Sequence, residues 1–181
     1  MNDLELDALL DTCVAFHGHL CMGQVLGVKL ALQGLALAAP ATPRDLIVVV
    51  ENDRCIADAI QTVTGTRLGR RTLKLKDYGR MAATFINTTT LRAFRVHTAY
   101  TGTCDPHDEA AVRAVLHLPD DQVVAWQEVK THLKPEEMPG KPSRVVECCT
   151  CGERVFDGKD TVTAAGPICS ACSLGSYYTL A

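Results

Sequence analysis

The chain has no surplus of basic charge: 18 Lys and Arg stand against 21 Asp and Glu, a formal net charge of −3. That balance gives no reason to expect nucleic acid or an anionic membrane as a partner. No apolar run is long enough to span a bilayer. The start, Met1-Asn2-Asp3-Leu4-Glu5, is acidic and lacks the basic residues and apolar core of a signal peptide, so a cytoplasmic location is expected. Classical hydrolase and dehydrogenase motifs are missing too. The loop from Thr64 to Arg71 carries two glycines, but their spacing is too short for a nucleotide P-loop and no strand leads into it. Cysteine, by contrast, is plentiful: there are nine. In a reducing compartment that number argues for metal or thiol chemistry rather than a disulfide framework, and the odd count leaves at least one unpaired.

Two imidazoles and a thiol crowd one turn, Phe16-His17-Gly18-His19-Leu20-Cys21-Met22-Gly23-Gln24, and a helix-period apolar run follows from Val25 to Ala39. His17, His19 and Cys21 are therefore expected at or just before a helix N-terminus, where backbone N–H groups and the helix dipole favour the thiolate, the form that attacks and binds metal. His17 and Cys21 are four apart, so a helix reaching back to His17 would set them on one face. The alternative is a buried His and Cys at a close helix contact, eased by Gly23 and Gly27.

At 181 residues, 47% hydrophobic and 22% charged, the chain suits a globular domain with a small appendage. Residues 3–15 read as an amphipathic helix with Leu6, Leu9, Leu10 and Cys13 in one stripe. The second helix is so apolar that only Lys29 and Gln33 mark a wet side. Leu46–Val50 reads as a strand buried on both faces. It delivers Glu51-Asn52-Asp53-Arg54-Cys55 to a helix through Ala57, Ala59, Ile60 and Val63, where α/β-type sheets place their sites. Asn52 or Asp53 would cap that helix. Arg67, Arg70, Arg71, Lys74 and Lys76 form a basic cluster able to hold an anion or simply a solvated loop. Leu73–Leu75, Met81–Ile86 and Leu91–Ala99 read as strands of an antiparallel region. Asp105-Pro106 is expected to open a helix running to Leu116, with Cys104 and His107 at its mouth as a second thiol–imidazole pair. A strand at Val123–Val129 would carry Trp126 as a core anchor. Residues 1–133 thus form the core domain, 134–144 a Pro-rich linker, and 145–181 the appendage.

The appendage holds the sharpest local motif. Cys148-Cys149-Thr150-Cys151 and Cys169-Ser170-Ala171-Cys172 are two CxxC pairs, with Gly152 following the first as a tight metal knuckle needs. Cys148, Cys151, Cys169 and Cys172 suit tetrahedral zinc closed by protein alone, and so small a segment must draw stability from its metal. Two redox CxxC pairs or iron–sulfur ligation are the other readings. Val155–Ala165 would form a hairpin, the second pair would open a helical turn, and Cys149 is spare.

On these residues the chain resembles the FmdE family of formylmethanofuran dehydrogenase proteins. The resemblance is carried by Phe16–Gly23, by Glu51-Asn52-Asp53-Arg54-Cys55-Ile56-Ala57-Asp58-Ala59-Ile60-Gln61, by Thr64-Gly65, Gly69 and Asp77-Tyr78-Gly79, and by Cys148…Cys151-Gly152-Glu153…Cys169…Cys172. It implies an α+β fold, a mixed sheet packed with helices, plus a treble-clef or zinc-ribbon-like finger. It also implies a homodimer, a partner metalloenzyme, and a cleft gathering His17, His19, Cys21 and Cys55. A further family cysteine, just after Thr-Gly, is Thr66 here.

Three functions are consistent with this reading. The first is an accessory protein handling metal or sulfur, with Cys21 the reactive thiol, His17 or His19 its base or co-ligand, and Cys55 a resolving thiol or ligand. The second is a metal-dependent oxidoreductase or hydrolase with Asp53, Asp58 or Glu51 as acid/base. The third is a structural or interaction protein whose core site is relict. The soft donor set suits zinc, iron or copper(I) in a second, core site. Arg144, Arg154 and Lys159 are too few to make the finger a nucleic-acid surface.

Overall fold

The computed structural model describes residues 1–179; Leu180 and Ala181, the end of the expected finger, lie outside the described residues. The chain divides into two compact units, Met1–Thr131 and His132–Ala181.

The first unit is α+β. Helix α1 (Asp3–His17) begins in a capping box: Glu5 N–H donates to Asn2 Oδ1 and Asn2 N–H to Glu5 Oε2, both at 2.9 Å. It ends on Gly18, whose φ of 99° only glycine adopts cheaply. Helix α2 (Met22–Ala38) follows after a short break, with Cys21 as N-cap. The helix therefore does not reach back to His17; the two residues flank a break between helices rather than share a face. Strand β1 (Leu46–Val50) leads to α3 (Cys55–Thr64), then β2 (Leu73–Leu75), β3 (Ala82–Asn87), β4 (Ala93–Thr98), α4 (Glu109–Ala114), α5 (Asp120–Val123) and β5 (Val124–Val129).

The sheet runs β2-β1-β3-β4-β5. β1 pairs with β3 antiparallel, as β3 does with β4 and β4 with β5. β2 departs from the antiparallel expectation: it lies parallel to β1, Val48 opposite Leu73. The α3 crossover returns the chain in the same direction, which a direct turn could not do.

Helix α2 is the central element, packed on α3 and against β3 and β4. Ten of its residues are buried, Lys29 among them, so of the two residues expected to mark a wet side only Gln33 is partly exposed. Lys29 is 7% exposed because its ammonium donates to the Leu118 carbonyl at 2.9 Å and pairs with Asp120. Glycines set the α2–α3 spacing. A Cβ at Gly23 would stand 2.7 Å from Cys55 Cβ, and one at Gly27 2.6 Å from Ala59 Cβ. The resulting core includes Leu10, Val25, Val28, Leu30, Val48, Ile56, Ile60, Phe85 and Leu116.

Other local expectations change in detail. Asp105-Pro106 does not cap α4. Asp105 instead folds a turn, accepting the His107 N–H at 2.9 Å, and Asp108 caps the helix by accepting the Ala111 N–H at 3.0 Å. Helix α3 starts after Arg54 with no side-chain cap, while Asn52 Oδ1 accepts the Arg54 N–H at 3.3 Å. Trp126 is no core anchor: it is 51% exposed on the edge strand β5, its ring edge-on to Phe94 at 6.1 Å.

The second unit contains a short 3₁₀ turn at Pro135–Glu137 within the stretch read as a linker, then β6 (Val145–Glu147), β7 (Arg154–Phe156), β8 (Asp160–Thr163), β9 (Gly166–Cys169) and α6 (Ser170–Leu174). β6 pairs with β7 and β8 with β9. The expected hairpin over 155–165 is thus split. Asp157 and Gly158, at φ 56° and 67°, turn the chain away after β7, and the hairpin is β8–β9. Knuckle, hairpin and helix follow in treble-clef order.

Candidate metal centres

The break between α1 and α2 brings three donors together. One donor atom each from His17, His19 and Cys21 lie within 4.8 Å of one another. Donors on a tetrahedral zinc ion sit roughly 3.3–3.7 Å apart given ~2.0–2.1 Å Zn–N and ~2.3 Å Zn–S bonds, so a small inward movement suffices. The His17 and His19 rings are 4.6 Å apart between centroids, tilted by 38°. His17 closes α1, Gly18 turns the chain, and Cys21 opens α2.

The environment of His17 bears directly on metal binding. Its Nδ1 is 2.8 Å from Asp58 Oδ2, on α3. Its Nε2 is buried with no hydrogen-bond partner. Among the described residues, two other buried side-chain polar atoms are unpaired: Gln24 Oε1 and, in the second unit, Asp160 Oδ1. Gln24 lies in the first turn of α2, wholly buried, its Nε2 donating to the Cys55 carbonyl at 2.7 Å. Native interiors rarely leave such atoms orphaned. An orphaned ring nitrogen beside an imidazole and a thiol fits a borderline or soft metal ion.

Cys55 stands beside this group rather than in it. A Cβ on Gly23 would meet Cys55 Sγ at 3.5 Å and Cys21 Sγ at 3.6 Å, so both sulfurs line the same glycine. The thiolate expected of Cys21 is not favoured in the metal-free chain. Burial raises its pKa, the neighbouring Cys55 adds to the rise, and the backbone N–H groups of Gln24 and Gly23 only partly oppose it.

The remaining candidates settle into other roles. Burial would raise the Glu51 pKa, but Arg95, bidentate at 2.7 and 2.9 Å, and Arg80 at 2.7 Å hold it below the carboxylate range. A carboxylate so engaged cannot serve as a general acid, and Asp53 is exposed. Thr66 is 1% exposed and shares a 2.8 Å hydrogen bond with Thr64 at the end of α3. Cys104 packs against the core and His107 is exposed; neither falls in a metal-competent group among the described residues. Cys13 is buried under α3, its thiol pushed up to about 11 by burial. Arg67 donates to the Gln61 and Thr66 carbonyls at 2.9 and 3.0 Å, which makes it part of the loop's own framework.

In the second unit the thiols of Cys148, Cys151, Cys169 and Cys172 also lie within 4.8 Å of one another. Cys148 Sγ accepts the Cys169 N–H at 3.3 Å, Cys169 Sγ accepts the Cys172 N–H at 3.4 Å, and Gly152 turns at φ 76°. Backbone N–H groups, chiefly those of Cys169 and Cys151, bring the Cys148 thiol down to about 6. Crowding by Cys169 and Cys151 pushes Cys172 up to about 12, and Cys151 is also raised. Four thiols closed on one point can hold a metal ion. Cys149 stays outside the group, exposed, with its N–H on the Pro167 carbonyl at 2.9 Å. Arg144 is engaged by Asp160 at 2.9 Å. Among the described residues, no helix is long and apolar enough to cross a membrane.

Comparison with known proteins places these features in context. The family described as "FmdE, Molybdenum formylmethanofuran dehydrogenase operon" matches residues 16–147. A probable S-adenosyl-L-methionine-binding protein of Archaeoglobus fulgidus is 31% identical over 99 residues, 51% of this chain but 27% of that relative's length. A tungsten formylmethanofuran dehydrogenase FmdE-like protein from Syntrophus aciditrophicus superposes with a TM-score of 0.62 at 21% identity, covering 96% of this chain and 95% of that one. At that identity the likeness concerns the fold.

Proposed function

The chain belongs to the FmdE family, and from that premise we propose that it is a metal-binding accessory protein with two sites of different kind. The core site is His17, His19 and Cys21, with Cys55 beside it as a further ligand or resolving thiol. The second is a closed zinc site of Cys148, Cys151, Cys169 and Cys172. The observation that carries the core site is the buried, unpartnered Nε2 of His17, next to a second imidazole and a thiol. Three protein donors leave a coordination position open, as an ion meant to be exchanged or presented requires, whereas four thiolates close the finger around a structural ion. A bound core ion would supply a Lewis-acidic or thiophilic centre.

A metal-dependent oxidoreductase or hydrolase is the second reading, and the open position favours it. Against it, two of its three candidate carboxylates are engaged: Glu51 is locked by two arginines and Asp58 is paired with His17, which leaves the exposed Asp53. A cytoplasmic homodimer that docks on a partner metalloenzyme fits the operon association in the family's description. The ligand in the Archaeoglobus relative's name is not carried over, since the matched segment is a small part of that protein.

The test is metal identity and stoichiometry per chain after purification without oxygen. The two-site reading expects a second ion beyond the finger's, lost in a His17→Ala, Cys21→Ser double variant. One ion per chain in the wild type, or a second ion kept by the double variant, refutes the core site.

A further inference from the structure

Asp58 lies one helical turn after Cys55 on α3, so both project toward the α1–α2 corner from the same stretch of helix. Its Oδ2 is 2.8 Å from His17 Nδ1. An ionised carboxylate only accepts hydrogen bonds, so the proton of the neutral ring sits on Nδ1 and the lone pair is left on Nε2. That is the nitrogen buried without a partner. The opposite tautomer would place two acceptors face to face at Nδ1 and bury an unpaired N–H at Nε2. The geometry points to Asp58 as the positioning residue of the core site: it fixes the tautomer and the ring orientation of His17 so that Nε2 is offered to a metal ion.

This inference rests on the reading of His17 as a metal ligand. Its independent support is that the pair does little else. Asp58 is 44% exposed on its side chain, and ion pairs at such exposure contribute little stability. His17 is 14% exposed, so its ring is held while its partner stays wet. Helix α3 is in turn pinned to α2 through Gly23 and Gly27, which puts Asp58 on a rigid support. Carboxylates that orient a ligating imidazole in this way typically govern metal affinity by about 10–100-fold.

The experiment uses the full chain with its finger preloaded with zinc and cobalt(II) as the probe, followed through thiolate-to-cobalt absorption and chelator competition. Asp58→Ala is expected to weaken core cobalt binding about 10–100-fold, while the melting temperature of the cobalt-free protein barely moves. Asp58→Asn keeps an oxygen that accepts the Nδ1 proton, so it is expected to recover much of the loss. Equal affinity in wild type and Asp58→Ala overturns the assignment, as does Asp58→Asn binding no better than Asp58→Ala. A lowered melting temperature with unchanged affinity identifies a merely structural pair and overturns it too. If the wild type binds no cobalt beyond what the His17→Ala, Cys21→Ser variant binds, both this inference and the core-metal reading fall. Wild-type binding with no response to Asp58 defeats the inference alone.

Discussion

Replacing Gly27 by alanine adds one methyl group at the tightest point of the α2–α3 contact. The new Cβ would stand 2.6 Å from Ala59 Cβ, 3.1 Å from Ile56 Cα and 3.2 Å from Ile56 O. Carbon atoms rest at about 3.5–4.0 Å, so α3 must retreat by roughly an ångström, because two of the three atoms are backbone. Overpacking of this kind costs about 1–3 kcal/mol. Against it, alanine gains up to about 1 kcal/mol in helix propensity over glycine. From the middle of the overpacking range the net expectation is a loss of about 1 kcal/mol. The chain's single tryptophan, Trp126, lies in the first unit and reports its urea unfolding by fluorescence. Ala59→Gly removes the atom that Gly27→Ala strikes. The double variant should therefore be more stable than the sum of the single changes predicts, by more than the ~0.5 kcal/mol scatter seen for independent sites. Gly27→Ala as stable as wild type, or additive with Ala59→Gly, would refute the claim that these glycines set the helix spacing. Because α3 carries Cys55 and Asp58, the same retreat is expected to weaken core metal binding.

Three further outcomes follow from the charges and thiols. Glu51→Gln leaves Arg95 and Arg80 without their carboxylate and should cost about 2–3 kcal/mol at neutral pH, less than for a fully buried pair because Arg80 is 56% exposed. Since the folded Glu51 carboxyl titrates below the unfolded value of about 4.3, its contribution is complete above that pH and is lost as pH falls through the lower folded value. The gap between variant and wild type should thus close in acid, and a gap constant from pH 7 to 3 would contradict the pairing. In the finger, Cys148→Ser should release one metal equivalent and unfold the segment, as zinc analysis and circular dichroism would register; retained metal would sink the four-thiolate site. Zinc uptake at pH 7 should also release the protons of Cys151 and Cys172, whose thiols are raised, and an indicator dye showing no acidification would exclude their ligation.

Much of this fold is legible in local pattern. The apolar stripe of α1, the continuous apolar run of α2 and the β-branched run of β1 each carry their own period, and the two CxxC pairs carry their own chemistry. What escapes reading depends on partners far along the chain. β2 has three residues, too few to show which way its neighbour runs. Lys29 looks like a surface residue until the Leu118 carbonyl, 89 positions on, receives it. Trp126 looks like core, yet β5 is an edge strand of the sheet. At the core corner, His17, His19 and Cys21 stand out because they are adjacent. The pairing of His17 with Asp58 spans 41 positions, and the only hint of it in the sequence is that Asp58 follows Cys55 by one helical turn. Thr66 shows the reverse, a departure visible in sequence whose side chain the fold absorbs into a helix end.

The Gly18 turn has a consequence for the order of assembly. All three core donors fall within five consecutive residues, so bringing them together closes almost no loop and costs little chain entropy. If the proposed core site holds, an unfolded or half-folded chain would already grasp an ion at this corner, loosely, with His17 free to choose either tautomer. Only when α3 docks against the glycines of α2 does Asp58 arrive to hold the ring and Cys55 to stand beside Cys21. Affinity at the corner then becomes a gauge of how completely the helices have closed. Since binding to the unfolded chain subtracts from what a ligand adds to stability, core metal should raise the melting temperature less than its affinity for the native protein would suggest.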